Sequence, residues 1–518
     1  MELVQKTVQM QEIDPKITHQ IQMSEDINVS DSKEDMMQII QGECELHITE
    51  VVRSEEYLKI MGCLEYAVLY VTENEEKKIA CLDGKVPVEE FIYVEAKDGE
   101  DYHVTCNQLD YETHFIHSRK INIKAMIELQ VEKSHYKCEN ITTDICADIP
   151  LFKRTKQVPM LQAKMKKKDI YRIKEEVKLP GTKENIGSIL MTKIGCYKLD
   201  TRVCQDSIQL HGEMQFFCMY LSDECKEDWI SQTVNFEGGL ECYGVDENTY
   251  VNVCSNLTDL SVEAQPDEDG EVRILSIEAT LEMDLDVYQE DEMQILEDVY
   301  SLEKNCQFAS RPMYTESLCM QNYSKCRMME TLEVPELKDE LLQICMSNGR
   351  IQIEKVESVP EGILIEGILH VHFLYVKEDD CVPYGSWQGM VPFSHIIDCK
   401  RVDNMTYSIN STLEQLSVGM SGNDEIEVKA IMCFCSFVRK PEMIRVIEKI
   451  EMNPFTKTEL ESQAGIIGYI CKEGDELWTL AKRYHTTTDG ILKINKITEK
   501  DIKEGQRLLI FKENVSIL

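Results

Sequence analysis

The chain has 518 residues, 94 of them acidic and 55 basic, which leaves a formal charge of −39. An excess that large repels nucleic-acid phosphate and anionic lipid, so neither is a default partner. Hydrophobic residues form 43% of the chain, enough for several cores, and the length suggests roughly three or four domains.

At the start, Glu2, Gln5, Lys6, Gln11, Glu12 and Asp14 interrupt isolated apolar residues, so no export signal is expected. No run of about 18 apolar residues follows anywhere, and no transmembrane helix is expected. The 21 cysteines lack a disulfide-framework spacing and read as reduced thiols of a cytosolic protein.

An internal repeat then organises the chain. Gly62 to Tyr70, Gly212 to Tyr220 and Gly367 to Tyr375 each place a glycine and a tyrosine eight apart in an apolar strand. Forty residues before each tyrosine stand Ser30, Pro180 and Pro335, following Val29, Leu179 and Val334. The first and third copies keep one offset from Val86-Pro87 and Val391-Pro392 to Ala125 and Ala430. The second copy gains and loses residues only near Cys225 and around Gln265–Gly270, where loops absorb length cheaply.

Each copy opens on an acidic segment, Asp31 to Gln41 or Glu336 to Gln343, whose apolar spacing predicts a short helix. Each closes on strict alternation: Ile121, Ile123, Ala125, Ile127, Leu129 and Val131 in the first, Ile277 to Val287 in the second. Period two with one apolar face predicts antiparallel strands. Between the first two copies, Lys153, Arg154, Lys156, Lys164, Lys166, Lys167 and Lys168 occur with no acidic residue. That run reads as a solvated linker or helix face, or as a docking strip for an acidic partner or an acidic module of this chain.

The last fifty residues read strand, helix, helix, strand. Tyr469-Ile470-Cys471 is strand-like, and Asp475 is placed to cap the next helix. Leu477, Leu480, Ala481 and Tyr484 give that helix one apolar face. Thr486-Thr487-Thr488 offers cap oxygens for a second helix, with Ile491, Leu492 and Ile494 as its buried side. Gly505 and Leu508-Leu509-Ile510 supply the closing turn and strand.

Candidate chemistry is sparse. His370 and His372 share a strand face but have Glu65 and Ala67, or Gln215 and Phe217, at the equivalent positions, so surface residues are expected rather than metal ligands. His114 and His117 have the spacing of one helical face but no ligand cluster beside them. Cys433 and Cys435 are expected to be structural thiols, and Trp229, Trp387 and Trp478 packing anchors. No phosphate-cradling glycine motif, nucleophile elbow or zinc-protease motif occurs. No enzyme, cofactor or metal is expected.

Two resemblances follow from these residues. Tyr469, Gly474-Asp475, Leu477-Trp478, Leu480-Ala481, Tyr484, Ile491, Asn495, Gly505 and Leu508-Leu509-Ile510 resemble the LysM pattern in order and spacing. LysM modules are compact βααβ units that commonly hold N-acetylglucosamine-containing glycans. The resemblance implies a groove lined by Gly474, Asp475, Glu476 and Leu477 on one side and by Asn495, Lys496 and Ile497 on the other. Glu476 departs from the small hydroxyl residue usual there, which favours a protein over a sugar as occupant.

The three upstream copies resemble the SPOCS module of spore-coat assembly proteins, through the Leu179-Pro180 and Val334-Pro335 starts and the Gly-to-Tyr strands. Three such modules with a terminal LysM imply a non-enzymatic scaffold in the mother-cell cytoplasm, at the forespore surface. The partner implied is the coat morphogenetic ATPase, stage IV sporulation protein A, with possible other coat proteins; the alternative is cortex peptidoglycan bound in the LysM groove.

The expected fold class is mainly β, with three repeated antiparallel modules followed by a small α+β LysM domain. The expected divisions are 1–138, 171–300 and 321–455 for the repeats, 139–170 for a basic linker, 301–320 for a second linker and 466–513 for the LysM.

Overall fold

The computed structural model describes residues 2–74, 77–337, 340–400, 404–422, 425–456, 465–498 and 502–512. It is mainly β, with antiparallel sheets repeated three times and a βααβ unit at the end.

The first copy runs β1 (Glu2–Ile13), β2 (Ile17–Asn28), β3 (Met36–Ser54), β4 (Tyr57–Thr72), β5 (Ile79–Tyr93), β6 (Glu100–His117) and β7 (Lys120–Cys146). The second has β8 (Phe152–Lys178), β9 (Ile186–Cys204), β10 (Ser207–Ser222), β11 (Glu227–Glu241), β12 (Thr249–Pro266) and β13 (Val272–Tyr300). The third has β14 (Lys304–Glu333), β15 (Leu341–Val359), β16 (Gly362–Lys377), β17 (Tyr384–Asp398), β18 (Thr406–Met420) and β19 (Glu425–Pro454). The terminal unit comprises β20 (Ile466–Ile470), α1 (Leu477–Arg483), α2 (Thr488–Asn495) and β21 (Arg507–Phe511).

Each copy is two sheets packed face to face. One is a meander: β3-β4-β5, β9-β10-β11 or β15-β16-β17. The other centres on the alternating strand: β6-β7 with β2 and β1, β12-β13-β8, or β18-β19-β14. Ile121, Ile123, Ile127, Leu129 and Val131 are buried against Leu64, Val68 and Tyr70 of β4, as the period-two pattern requires.

The repeated tyrosine and glycine have physical reasons. The Tyr70 hydroxyl donates to the Glu34 carbonyl at 3.0 Å, and Tyr220 to the equivalent Glu184 carbonyl at 3.5 Å, which ties the strand end to the opening turn. A Cβ on Gly62 would collide with the His47 carbonyl oxygen, and one on Gly367 with the equivalent Gln352 oxygen.

The expected opening helices are absent from the described residues. Asp31 to Asp35 is a turn and bend leading into β3, and Pro335–Leu337 is a single 3-10 turn; 338–339 lie outside the described residues. Apolar residues three and four apart in these segments arise from β-bulges instead. The register slips at Met36/Gln38 and Ile39/Gln41 in β3, and at Leu341/Gln343 and Ile344/Met346 in β15.

The two expected linkers are strands. Residues 139–170 form the end of β7 and most of β8, and 304–320 open β14. The third strand of each long sheet stops near His135, Gln289 and Arg439. Beyond these points the paired long strands continue as two-stranded ribbons, β1-β7, β8-β13 and β14-β19. An isolated ribbon is marginal in water, so the three pack together into one stem.

Equivalent residues meet along it. Ile141, Ile295 and Val446 share a cluster with Val8, Val158 and Met313. Ile145, Val299 and Ile450 share the next, with Leu296 and Ile447. Thr142, the polar equivalent of Leu296, is satisfied by donating to the Ile447 carbonyl at 2.6 Å.

The heads converge in the same three-fold manner: Leu69, Met219 and Leu374, fully buried and equivalent by repeat, lie in one cluster shared by all copies. Trp229 of the second copy packs edge-on against Tyr384 of the third, and Trp387 stacks on Phe373.

The copies are also joined by charge. His103 Nδ1 of the first lies 3.1 Å from Asp284 Oδ2 of the second. The Asp284 carboxylate, with a further hydrogen bond to Cys254, pushes the His103 imidazole up to about 9. A raised histidine value stabilises the fold fully below its unfolded value of about 6.5, and the contribution fades as pH rises toward 9. We expect on the order of 2 kcal/mol to be lost across that window. His103→Gln should flatten the slope of urea midpoint against pH between 6.5 and 9; an unchanged slope would assign it elsewhere.

Candidate functional site

In the terminal unit, Leu477, Leu480, Ala481 and Ile491 are buried with Cys471, Leu508 and Ile510, the core expected of the amphipathic pattern. Ile494 departs from expectation and is exposed. Thr487 caps α2 by accepting from the Gly490 N–H at 3.0 Å.

Asp475 does not cap α1. Its carboxylate accepts from the Lys472 N–H at 2.7 Å and the Tyr469 hydroxyl at 2.8 Å, and these two donors hold it below the usual carboxylate range. Gly474 takes φ +83° to make this turn, a backbone conformation that side chains disfavour.

The expected groove residues are spent unevenly. Both N–H donors of the Asn495 amide are used, on the carbonyls of Ile491 at 2.8 Å and Leu509 at 2.7 Å. Its oxygen accepts from the Leu509 N–H at 2.7 Å. Asn495 thus locks α2 to β21 and has no donor left for a ligand. Lys496 is exposed and takes the left-handed conformation that ends α2. Leu477 is buried and Ile497 packs against the same cluster, so both serve the core of the unit.

Glu476 reaches away from its own unit. Its carboxylate meets Arg154 of β8 at 2.7 Å, and Arg154 also faces Glu297 of β13 at 2.8 Å. This contact begins a docking interface unseen from the sequence. The Trp478 indole N–H donates to Asp298 at 2.8 Å, and the Lys482 ammonium reaches the other oxygen of the same carboxylate at 2.5 Å. The Trp478 ring stands edge-on to Tyr300 at 5.0 Å, and Tyr300 stacks on Phe152 at 4.9 Å. The Tyr300 hydroxyl donates to the Thr486 carbonyl at 3.0 Å. The terminal unit is therefore seated on the free end of the stem.

The basic strip is likewise used within the chain. Lys153 pairs with Asp144 at 2.7 Å, Arg154 with Glu297 and Glu476, and Lys168 faces Asp284 at 3.7 Å. The run is a strand rather than a linker or helix; Arg154 and Lys168 face acids of other parts of the chain, while Lys156 and Lys164 are exposed on its surface.

A second feature lies where the heads meet. A cleft of about 1180 Å³ is lined by residues of all three copies, among them Glu43, Lys193, Arg350 and His372. Glu43, Lys193 and Asn348 are equivalent by repeat. The Lys193 ammonium sits 3.1 Å from Glu43 and 3.5 Å from Glu45. Burial alone would raise the Glu43 carboxyl, but Lys193 and His372 outweigh it and hold it below the usual range. Burial lowers the His372 imidazole, whose Nδ1 is 3.6 Å from Glu43.

His370 and His372 are thus half-buried at the junction between copies, not surface residues; His370 bonds Gln352 at 2.8 Å. His114 and His117 are exposed on β6, a strand and not a helix. Cys433 and Cys435 are free thiols on the face of β19 turned away from Val428, Ala430 and Met432. Among the described residues no group of three or more His, Cys, Asp or Glu could hold a metal ion. No helix among them is long and apolar enough to cross a membrane.

Comparison with known families agrees with the repeat and the terminal unit. Residues 185–265 and 340–421 match the family model described as SipL, SPOCS domain, and residues 469–511 match the LysM domain. The SPOCS matches cover essentially β9–β12 and β15–β18, the meander sheet and third strand of two copies. The first copy has the same strand order in β3–β6. No curated protein and no solved structure matches the chain.

Proposed function

We propose that this chain, which carries the SPOCS domain of SipL twice by match and a LysM domain at its end, is a non-enzymatic spore-coat scaffold. It would act in the mother-cell cytoplasm at the forespore surface, binding stage IV sporulation protein A partly through the LysM. The observation that supports this most is the pairing of SPOCS and LysM domains on one frame, with the LysM seated on the stem. Three heads and a terminal unit held at fixed separations bind a many-copy surface by raising the effective concentration of each following contact. The working divisions keep the repeats at 1–138, 171–300 and 321–455 and the LysM at 466–513, with 139–170 and 301–320 carrying stem strands that continue into the repeats.

Glycan binding in the groove is the weaker reading. Asn495 has no free donor and Glu476 is paired with Arg154, so two of the residues nearest a sugar are engaged already.

Co-purification from sporulating cells, comparing the full chain with one lacking 466–518, tests the proposal. We expect capture of stage IV sporulation protein A to fall at least tenfold without the LysM. Unchanged capture would remove the LysM from that role, and retention of the full chain on purified peptidoglycan instead would favour the glycan.

A further inference from the structure

The outward face of the first head sheet differs from its two counterparts. Register places Tyr57 opposite Tyr93, and Lys59 opposite Phe91, so these side chains share one face of β4-β5. Tyr57 is 45% exposed, Phe91 48% and Tyr93 50%, and Val52 beside them on β3 is 38% exposed. Tyr57 and Tyr93 meet edge to face at 5.3 Å, which fixes the two rings as one surface.

The repeat supplies an internal comparison. The positions of Val52, Tyr57, Phe91 and Tyr93 hold Arg202, Ser207, Gly239 and Glu241 in the second copy. In the third they hold Glu357, Gly362, Ile396 and Asp398. Neither the fold nor the packing of the heads therefore requires exposed aromatics there. A contiguous aromatic patch kept in water marks a contact surface.

Its surroundings identify the kind of occupant. Residues 50–59 and 89–98, which frame the patch, contain seven carboxylates and three cations. Two of those cations are already paired, Lys59 with Glu89 at 3.1 Å and Arg53 with Asp98. Lys59 also lies 5.8 Å from the centre of the Phe91 ring, the position a bound cation would take. Among the described residues β5 is an edge strand, paired with no strand but β4, so an extended chain can lie along it.

We infer that this face of the first copy binds an extended basic segment of a partner protein, its cationic side chains resting on Tyr57 and Tyr93 beside Phe91, within a ring of carboxylates. A second copy of this chain is disfavoured as occupant by its charge of −39.

The probe is a fluorescein-labelled eight-residue peptide of alternating arginine and valine, titrated with the full chain at 150 mM salt and followed by anisotropy. We expect saturable binding that weakens at least tenfold in the double variant Tyr57→Ser/Tyr93→Ser. Phe91→Ser, a single exposed change, should weaken it at least threefold. Glu241→Gln in the second copy should leave it within twofold, and the peptide with glutamate for arginine should not bind. Equal affinity in the parent and both aromatic variants would mean diffuse attraction to an acidic chain and would overturn the inference. So would the absence of binding at this salt.

Discussion

Replacing Lys193 by methionine should destabilise the protein by about 3 kcal/mol, although the substitution is close in length and apolar. The cause is the partner left behind. Glu43 is largely buried at the junction, and Lys193 lies 3.1 Å from it. Without Lys193, the carboxylate must ionise uncompensated or take up a proton.

Glu43→Gln together with Lys193→Met should recover most of the loss, because two neutral groups cost far less to bury than one charge. The first urea transition of the parent, both single variants and the double variant measures this; additive losses in the double variant would refute coupling.

The pH dependence has a definite sign. Glu43 is lowered in the folded protein, so its contribution is present above about pH 4.3 and lost as pH falls through the folded value. Lys193 is raised by Glu43, so its contribution is lost only in strong alkali. The parent should therefore lose stability in acid more steeply than the double variant.

Trp478→Ala should release the LysM from the stem without unfolding the heads. The change removes a hydrogen bond to a carboxylate, an edge contact with Tyr300 and the packing of a large ring. Together these are worth about 3 kcal/mol, or roughly a hundredfold in the docking equilibrium. Amide exchange should rise at residues 296–302 and stay unchanged at 121–131. Asp298→Asn tests the same interface from the stem side and leaves the LysM sequence intact. If exchange near Tyr300 stays at the parent level in both variants, Trp478 serves only the interior of its own unit.

The repeat was legible because its signals are local. A glycine that must sit against a carbonyl in the first and third copies, or against a ring in the second, and a tyrosine that reaches back to a turn in the first two recur at fixed spacing. The alternation of Ile121 to Val131 told which face is buried for the same reason. The arrangement of copies was harder to read, yet it left a trace. Ala67 to Val71, Phe216 to Leu221 and Phe373 to Val376 are continuous apolar runs, because the ends of β4, β10 and β16 are buried on both faces.

Two readings failed for physical reasons. Bulges gave the opening segments a helical spacing, and the basic run read as a linker because the strand it forms, β8, pairs with β13, more than a hundred residues away in sequence. In the LysM, pattern alone supplied the fold and the loop positions. It could not reveal that Glu476 and Trp478 face Arg154 and Asp298, since nothing in the unit's own sequence encodes its neighbour.

Linking the three copies in one polypeptide has a consequence at the junction of the heads. One repeat position supplies Glu43, Lys193 and Asn348. Three separate, identical subunits would have to bring three glutamates, three lysines or three asparagines to that place, and either like-charged triplet would push the ring apart. Concatenation lifts this restriction: opposite charges can occupy symmetry-related seats, and their attraction fixes which copy sits beside which.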